Sequence, residues 1–124
     1  MAADDFAKAL TRRRQIFITV TGRRTGRAIA VPVWFVHSDG ALWLLPVYGS
    51  ETQWYRNLEK DRAITIQAGE VRGDFHGRLL KNVEAVKSVI EQFREKYTAE
   101  EIKRYYSHFD VAVKISLEPT GSKP

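Results

Sequence analysis

Between Gln15 and Thr21 the chain alternates Ile16, Ile18 and Val20 with Phe17 and Thr19. A period of two predicts a strand with one face buried. Five further runs read as strands. Residues 28–37 are rich in Val and Ile and contain Pro32. Proline cannot donate to a ladder, which puts Pro32 at an edge, a bulge or a strand start. Residues 41–45 return across Ser38-Asp39-Gly40, because Asp-Gly supplies the positive φ angles of a tight hairpin. Residues 63–68 and 71–80 are joined by Gly69-Glu70, and residues 110–117 present Val111, Val113, Ile115 and Leu117 on one face.

Helical periods separate these runs. Residues 3–10 carry Phe6 and Leu10 on one side. Ser50 and Gln53 have the spacing of a capping box that opens a short helix over 51–59. Asn82 caps a longer helix whose Val83, Val86, Ile90, Phe93 and Tyr97 form a core-facing stripe. Thr98 and Glu101 suggest a second capping box and a last short helix ending at Tyr106. Six antiparallel strands with few helices do not suit a parallel doubly wound sheet. Closing the sheet removes its exposed edges, so the expected fold is mainly β, a six-stranded antiparallel barrel with peripheral helices. The expected organisation is one domain over residues 1–124, with a helical N-terminal segment within 1–14 and a flexible tail over 118–124.

Composition narrows the chemistry. A chain of 124 residues, 44% hydrophobic and 28% charged, suits one soluble core. The absence of cysteine excludes disulfides, thiolate metal sites and a Cys nucleophile. The acidic N-terminus has no apolar leader, and no run of 18 apolar residues suggests a transmembrane helix, so the expected location is the cytoplasm. The net charge of +5 favours anionic partners, and its excess is local: Arg12, Arg13, Arg14, Arg23, Arg24 and Arg27 crowd the first quarter.

His37, His76 and His108 have no metal-ligand spacing, and the chain has no nucleophile elbow, phosphate-binding P-loop or dinucleotide fingerprint. An enzyme built this way needs a cofactor for its chemistry. Thr21-Gly22-Arg23-Arg24-Thr25-Gly26-Arg27 is the first positive signal. Two glycines free the backbone to turn tightly, and arginine forks match phosphate oxygens in pairs. The same turn also reads as a solvated hairpin with incidental charge. The second signal is Gln53-Trp54-Tyr55-Arg56-Asn57-Leu58, where Trp54 either stacks on a planar ring or fills the core. Asn57 either binds a phosphate or bonds a neighbouring carbonyl. Between them, Tyr48 and Ser50 offer hydroxyl donors in a loop before a helix N-terminus, although a capping role also accounts for Ser50.

Together the Arg-rich turn, Val31-Pro32, the Gly-Ser loop and Trp54-Tyr55-x-Asn57-Leu58 resemble the deazaflavin-dependent nitroreductase/quinone reductase family. That family belongs to the split β-barrels and is related to the pyridoxamine-phosphate-oxidase-like FMN-binding proteins. The resemblance runs from Thr21 to Ile66 and implies a split barrel of the FMN-binding type. It implies that Arg23, Arg24 and Thr25, with Gly26 and Arg27 completing the turn, hold the phosphate of a deazaflavin (coenzyme F-420), with FMN as the alternative. Trp54 and Asn57 would border the same pocket. The implied reaction is hydride transfer from reduced cofactor to a quinone, enone or nitro compound. Tyr48, Ser50 and Tyr55 are the catalytic candidates for orienting that acceptor, with His76 behind them. Tyr105, Tyr106 and Phe109 would form an apolar wall. The family also implies a homodimer.

Two other classes compete. The same barrel can hold haem, a lipid or a cofactor without turnover. The Arg-rich first quarter, with Phe17, Trp34 and Trp43 as stacking platforms, would suit nucleic acid, but the charge excess is small for a basic binding stripe.

Overall fold

The computed structural model describes residues 2–11 and 13–117. The expected flexible tail over 118–124 and the side chain of Arg12 lie outside the described residues. In chain order the elements are α1 (Ala2–Leu10), β1 (Gln15–Thr21), β2 (Ala28–Trp34), β3 (Val36–Ser38) and β4 (Ala41–Leu44), then a short 3-10 turn (Gly49–Glu51), α2 (Gln53–Lys60), β5 (Ala63–Ala68), β6 (Val71–His76), β7 (Arg78–Leu80), α3 (Val83–Tyr97), α4 (Ala99–Tyr105) and β8 (Ala112–Ser116). Among the described residues no helix is long and apolar enough to cross a membrane.

The strands form two antiparallel sheets, ordered β2-β1-β5-β6 and β3-β4-β8-β7. The sequence suggests six strands and the structure has eight because two long runs bend. The run over 28–37 breaks at Phe35 into β2 and β3, and the run over 71–80 breaks at Gly77 into β6 and β7. Each bent strand is an edge of both sheets. The two bends therefore join the sheets at both sides, and the six runs close into one split barrel. Pro32 lies on edge strand β2 opposite Phe17, a position that tolerates its missing N–H. At the β3–β4 hairpin, Asp39 and Gly40 adopt φ of 54° and 69°.

Period-two alternation fills the barrel. Ile16, Ile18 and Val20 of β1 meet Ile64, Ile66 and Ala68 of β5, Leu42 and Leu44 of β4, and the Val111–Leu117 face, all buried in one cluster. Phe6 and Leu10 of α1 and Trp54, Tyr55 and Leu58 of α2 complete it. A second cluster lies between the β3–β4–β8 sheet and the helices α3 and α4. The α3 stripe comprises Val86, Val89, Ile90, Phe93 and Tyr97; Val83, expected to face the core, is 69% exposed in the first turn. Asn82 caps α3 as expected, its side chain accepting from the N–H groups of Glu84 and Ala85. Thr98 Oγ1 accepts from the Glu101 N–H at the start of α4.

Tyr97 ties the two clusters together at the Phe35 bend. Its buried hydroxyl accepts from the Phe35 N–H at 3.0 Å and lies 2.8 Å from the Phe35 carbonyl and 2.7 Å from the Arg14 carbonyl. A strand that leaves one sheet for another strands backbone groups away from either ladder, and buried groups of this kind need a partner. Tyr97 supplies it, and burial pushes its phenol up to about 12. Tyr97→Phe is expected to lower unfolding free energy by about 2 kcal/mol, because it leaves a buried N–H unpaired. Urea denaturation measures this; a loss below about 0.5 kcal/mol contradicts the role given to the hydroxyl.

Candidate functional site

The Arg-rich turn connects β1 to β2 and folds on itself through backbone bonds. The Gly22 N–H donates to the Arg27 carbonyl at 2.8 Å, and the Gly26 N–H to the Gly22 carbonyl at 2.8 Å. Gly26 has φ of 75°, a region a side chain disfavours. The Arg27 N–H donates to Thr25 Oγ1, and the Arg23 N–H to Asn57 Oδ1. These bonds consume four of the turn's N–H groups and leave those of Arg24 and Thr25 without a partner among the described residues.

The arginines divide into two roles. Arg23 is folded inward, donating from Nη1 to Asn57 Oδ1 at 2.7 Å and from Nη2 to Gln53 Oε1 at 2.9 Å. Its fork is therefore engaged by α2, while the residue still lines the cleft beside the turn. Asn57, only 5% exposed, correspondingly brackets the turn against α2. Arg24 and Arg27 have no carboxylate partner among the described residues. Lys60, one helical turn beyond Asn57, donates to the Arg23 carbonyl at 3.1 Å and adds a positive charge behind the turn. Gln53, Asn57 and Lys60 recur at helical spacing, a signal present in the sequence but only half used there.

A cleft of about 220 Å³ lies between this turn and α2, lined by Arg23, Arg24, Thr25, Ile29, Trp54 and Asn57 among others. A second cleft of about 300 Å³ follows β2 through Pro32, Val33 and Trp34 and is walled by Val47, Tyr105 and Tyr106. Trp54 lines both. Its side chain is therefore core filler and cleft wall at once. The two clefts form one trench along the edge strand, cationic at the turn and aromatic at the far end. Trp34 is held flat against Tyr97, with ring centroids 4.4 Å apart and planes 7° apart, and meets the Tyr105 ring edge-on at 5.5 Å. Phe109 stacks outside Tyr106 at 6.4 Å. Sequence alone did not bring Trp34 to this wall, because only the bend at Phe35 places it there.

The catalytic candidates separate. Tyr48 is 59% exposed and pairs with His108 in an isolated bridge. Ser50 does not cap α2: its N–H donates to Asp110 Oδ1 at 3.0 Å and its hydroxyl to Oδ2 at 2.6 Å. Thr52 occupies the N-cap position instead, with its hydroxyl accepting from the Tyr48 N–H. The Ser107 N–H donates to the Val47 carbonyl, so the segment before β8 is latched onto the loop before α2. Gly49, at φ of 59°, sits inside the latch, where an added Cβ would overlap Asp110 and come within 2.7 Å of His108 Cβ. Tyr55 is a correction. It is fully buried in the barrel core and its hydroxyl has no partner among the described residues, so it cannot touch an acceptor. His76 ends β6 opposite Ala63 and lines neither cleft. Of the stacking platforms considered for nucleic acid, Phe17 is 47% exposed, while Trp34 and Trp43 pack against the α3 cluster. Arg14 pairs with Glu101 and lies over the rings of Trp34 and Tyr97.

The family model described as F420H(2)-dependent quinone reductase matches residues 3–117. No curated protein matches the chain. Among solved structures, the chain is similar to the conserved hypothetical protein Rv2991 from Mycobacterium tuberculosis, with a TM-score of 0.73 at 18% identity, covering 93% of this chain and 79% of that one. It is similar to the F420-H2 dependent reductase FDR-A, with a TM-score of 0.65 at 20% identity and coverage of 83% and 94%. It is also similar to HutZ, the haem storage protein from Vibrio cholerae, with a TM-score of 0.70 at 17% identity and coverage of 94% and 89%. At these identities the likenesses show a shared fold.

Two outcomes follow from the loop and the core. Tyr55→Phe removes a buried hydroxyl that gains no hydrogen bond, so thermal unfolding should show stability unchanged or raised by about 1 kcal/mol; a loss of that size would point to a partner for Tyr55 Oη. Asp110 has its pKa lowered from 3.8, first by the Ser50 hydroxyl bond. A depressed carboxyl contributes its stabilisation above the unfolded value, and that stabilisation is lost as pH falls through the lower folded value. Protection of the Ser50 amide, measured against its intrinsic exchange rate, should therefore fall on acidification below 3.8, and Asp110→Asn should weaken this dependence.

Proposed function

The chain belongs to the F420H2-dependent quinone reductase family and is a deazaflavin-dependent oxidoreductase, and on that premise we propose that its trench along β2 is the cofactor and acceptor site. One observation carries the reading: a cationic turn with two unspent N–H groups opens into an aromatic cleft, and Trp54 lines both.

The donor set fits a phosphate-bearing planar cofactor. Arg24 presents a fork without a carboxylate partner among the described residues, Thr25 adds a hydroxyl beside the free N–H groups, and Arg27 adds charge at the end of the turn, outside the cleft lining. Charge-assisted bonds of this kind are the strong ones for phosphate. Arg23, Asn57 and Gln53 act behind them by fixing the turn on α2. Ile29, Val31 and Trp54 offer apolar surface to a flat ring. A deazaflavin held there would supply hydride chemistry, two electrons at a time.

The protein's own contribution is to bind and orient. Val47, Trp34, Tyr105 and Tyr106 wall the far end, where a flat acceptor such as a quinone, an enone or a nitroaromatic compound is held and water is excluded. Tyr105 presents an exposed hydroxyl within that wall, Tyr48 another next to Val47, and Ser50 acts through Asp110 to hold the loop. Ala28 and Ala30 of β2 are exposed beside the trench on this edge strand, which supports pairing of two copies there. The cytoplasm is the compartment in keeping with this reading.

The test is binding and turnover with variants. Arg24→Ala should raise the Kd for F420 by about ten- to a hundredfold, the worth of one or two charge-assisted bonds. Quinone-dependent oxidation of F420H2, read by absorbance, should fall in step at subsaturating cofactor. Arg23→Ala should also lower stability, because it breaks the bracket to Asn57 and Gln53. Equal affinity in wild type and Arg24→Ala, or preferential binding of FMN, would overturn the assignment of the turn or of the cofactor respectively.

A further inference from the structure

The loop before α2 and the segment before β8 run side by side. The Ser107 N–H donates to the Val47 carbonyl at 2.9 Å, and Tyr48 and His108 form a parallel bridge. Asp110 then accepts from the Ser50 N–H at 3.0 Å and from the Ser50 hydroxyl at 2.6 Å. The remaining position is Gly49, with φ of 59°, where a Cβ would run into Asp110 and His108. The loop is also closed on itself, because the Tyr48 N–H donates to Thr52 Oγ1 at 2.8 Å and the Gly49 N–H to the Pro46 carbonyl at 3.1 Å.

These contacts add little to the core. Ser107, His108, Phe109 and Asp110 form an exposed run between buried Tyr106 and Val111. Water competes for hydrogen bonds in such places, so they stabilise the fold only slightly. What they do fix is the flanks of one cleft. Val47 lies in the loop, Tyr105 and Tyr106 immediately precede the segment, and all three line the aromatic end of the trench. Trp54, on the helix that the loop leads into, lines it too. The cationic turn does not reach this end: neither Arg24 nor Thr25 is in its lining.

Taking the trench as the cofactor and acceptor site, we infer that Asp110 is a positioning residue for the acceptor. By holding Ser50 it fixes how far Val47 stands from Tyr105 and Tyr106, and so the width of the slot that receives a flat ring. Dispersion contact with such a ring falls steeply when a wall retreats by a fraction of an ångström. A released loop therefore grips a flat acceptor less well and admits a thicker one. Asp110→Ala removes both bonds to Ser50. Asp110→Asn keeps an oxygen for the Ser50 N–H and places an amide N–H against the hydroxyl, so the tie persists.

Quinone binding to the full-length, cofactor-free protein tests this, read by quenching of tryptophan fluorescence because Trp34 and Trp54 line the slot. The probes are flat methylnaphthoquinone and the thicker di-tert-butylbenzoquinone. Asp110→Ala should weaken the flat quinone about fivefold and leave the thick one as tight or tighter, while Asp110→Asn stays within about twofold of wild type. Ser50→Ala should shift binding in the same sense by less, and it serves if Asp110→Ala does not fold. In turnover with F420H2 the loss should appear in the quinone KM rather than in kcat. The Kd for F420 should not change, because Arg23 and Asn57 hold the cationic turn independently. Unchanged affinity for the flat quinone, an equal loss for both quinones, or Asp110→Asn as damaging as Asp110→Ala would each overturn the inference. A wild type that binds neither quinone saturably would overturn the reading of the trench and the inference with it.

Discussion

Everything in this molecule depends on bending two strands from one sheet into another. A six-run sheet of this length closes only if its edges turn the corner, and here Phe35 and Gly77 are the corners. At Gly77 the backbone N–H finds the Arg62 carbonyl at 2.8 Å. At Phe35 the backbone N–H relies on the phenol of Tyr97, and the carbonyl is met by that phenol and by the Lys96 ammonium, both delivered by the last turn of α3. The helix is thus more than a cover for the sheet, because it supplies the hydrogen bonds the corner lacks.

That corner also sets the functional trench. Trp34 is the last residue of β2 before the bend, and its ring lies flat on Tyr97. Its other neighbours, Tyr105 and Tyr106, come from the end of α4 and the segment beyond it. One side chain therefore ties closure of the barrel to the shape of the aromatic wall. At the opposite end of β2 the Arg-rich turn is fixed by α2, through Arg23, Asn57 and Gln53, rather than by its own backbone alone. Edge strand β2 spans the distance between the two, presenting Ile29, Val31, Pro32 and Val33 along the way.

Much of this was legible in the chain. Alternation at Ile16, Ile18 and Val20, the Asp39-Gly40 turn and the Asn82 cap are local signals, and local signals survive folding. The Arg-rich turn and the Trp54–Asn57 segment were visible as a pair and do meet. What sequence could not show depended on long-range geometry. The apolar run continues straight through Phe35, so nothing local marks the change of sheet. Arginine identity does not say which fork points inward; Arg23 is bonded to Asn57 and Gln53, while its neighbour Arg24 has no carboxylate partner among the described residues. Ser50 has ideal cap spacing, yet Asp110, sixty residues away, captures both its donors. Tyr55 looked like a reactive hydroxyl because its helix borders the site, but its position on that helix turns it into the barrel.

The central claim is that the cationic turn holds a phosphate while the adjoining trench holds a flat ring. Equilibrium binding of the phosphate-bearing deazaflavin, compared with the same ring system lacking the phosphate-bearing tail, tests it most directly. Loss of the charge-assisted bonds should weaken binding by about a hundredfold or more, with the remaining affinity insensitive to salt. Equal affinity for the two compounds would contradict the claim and would move the cofactor's anchoring away from the turn.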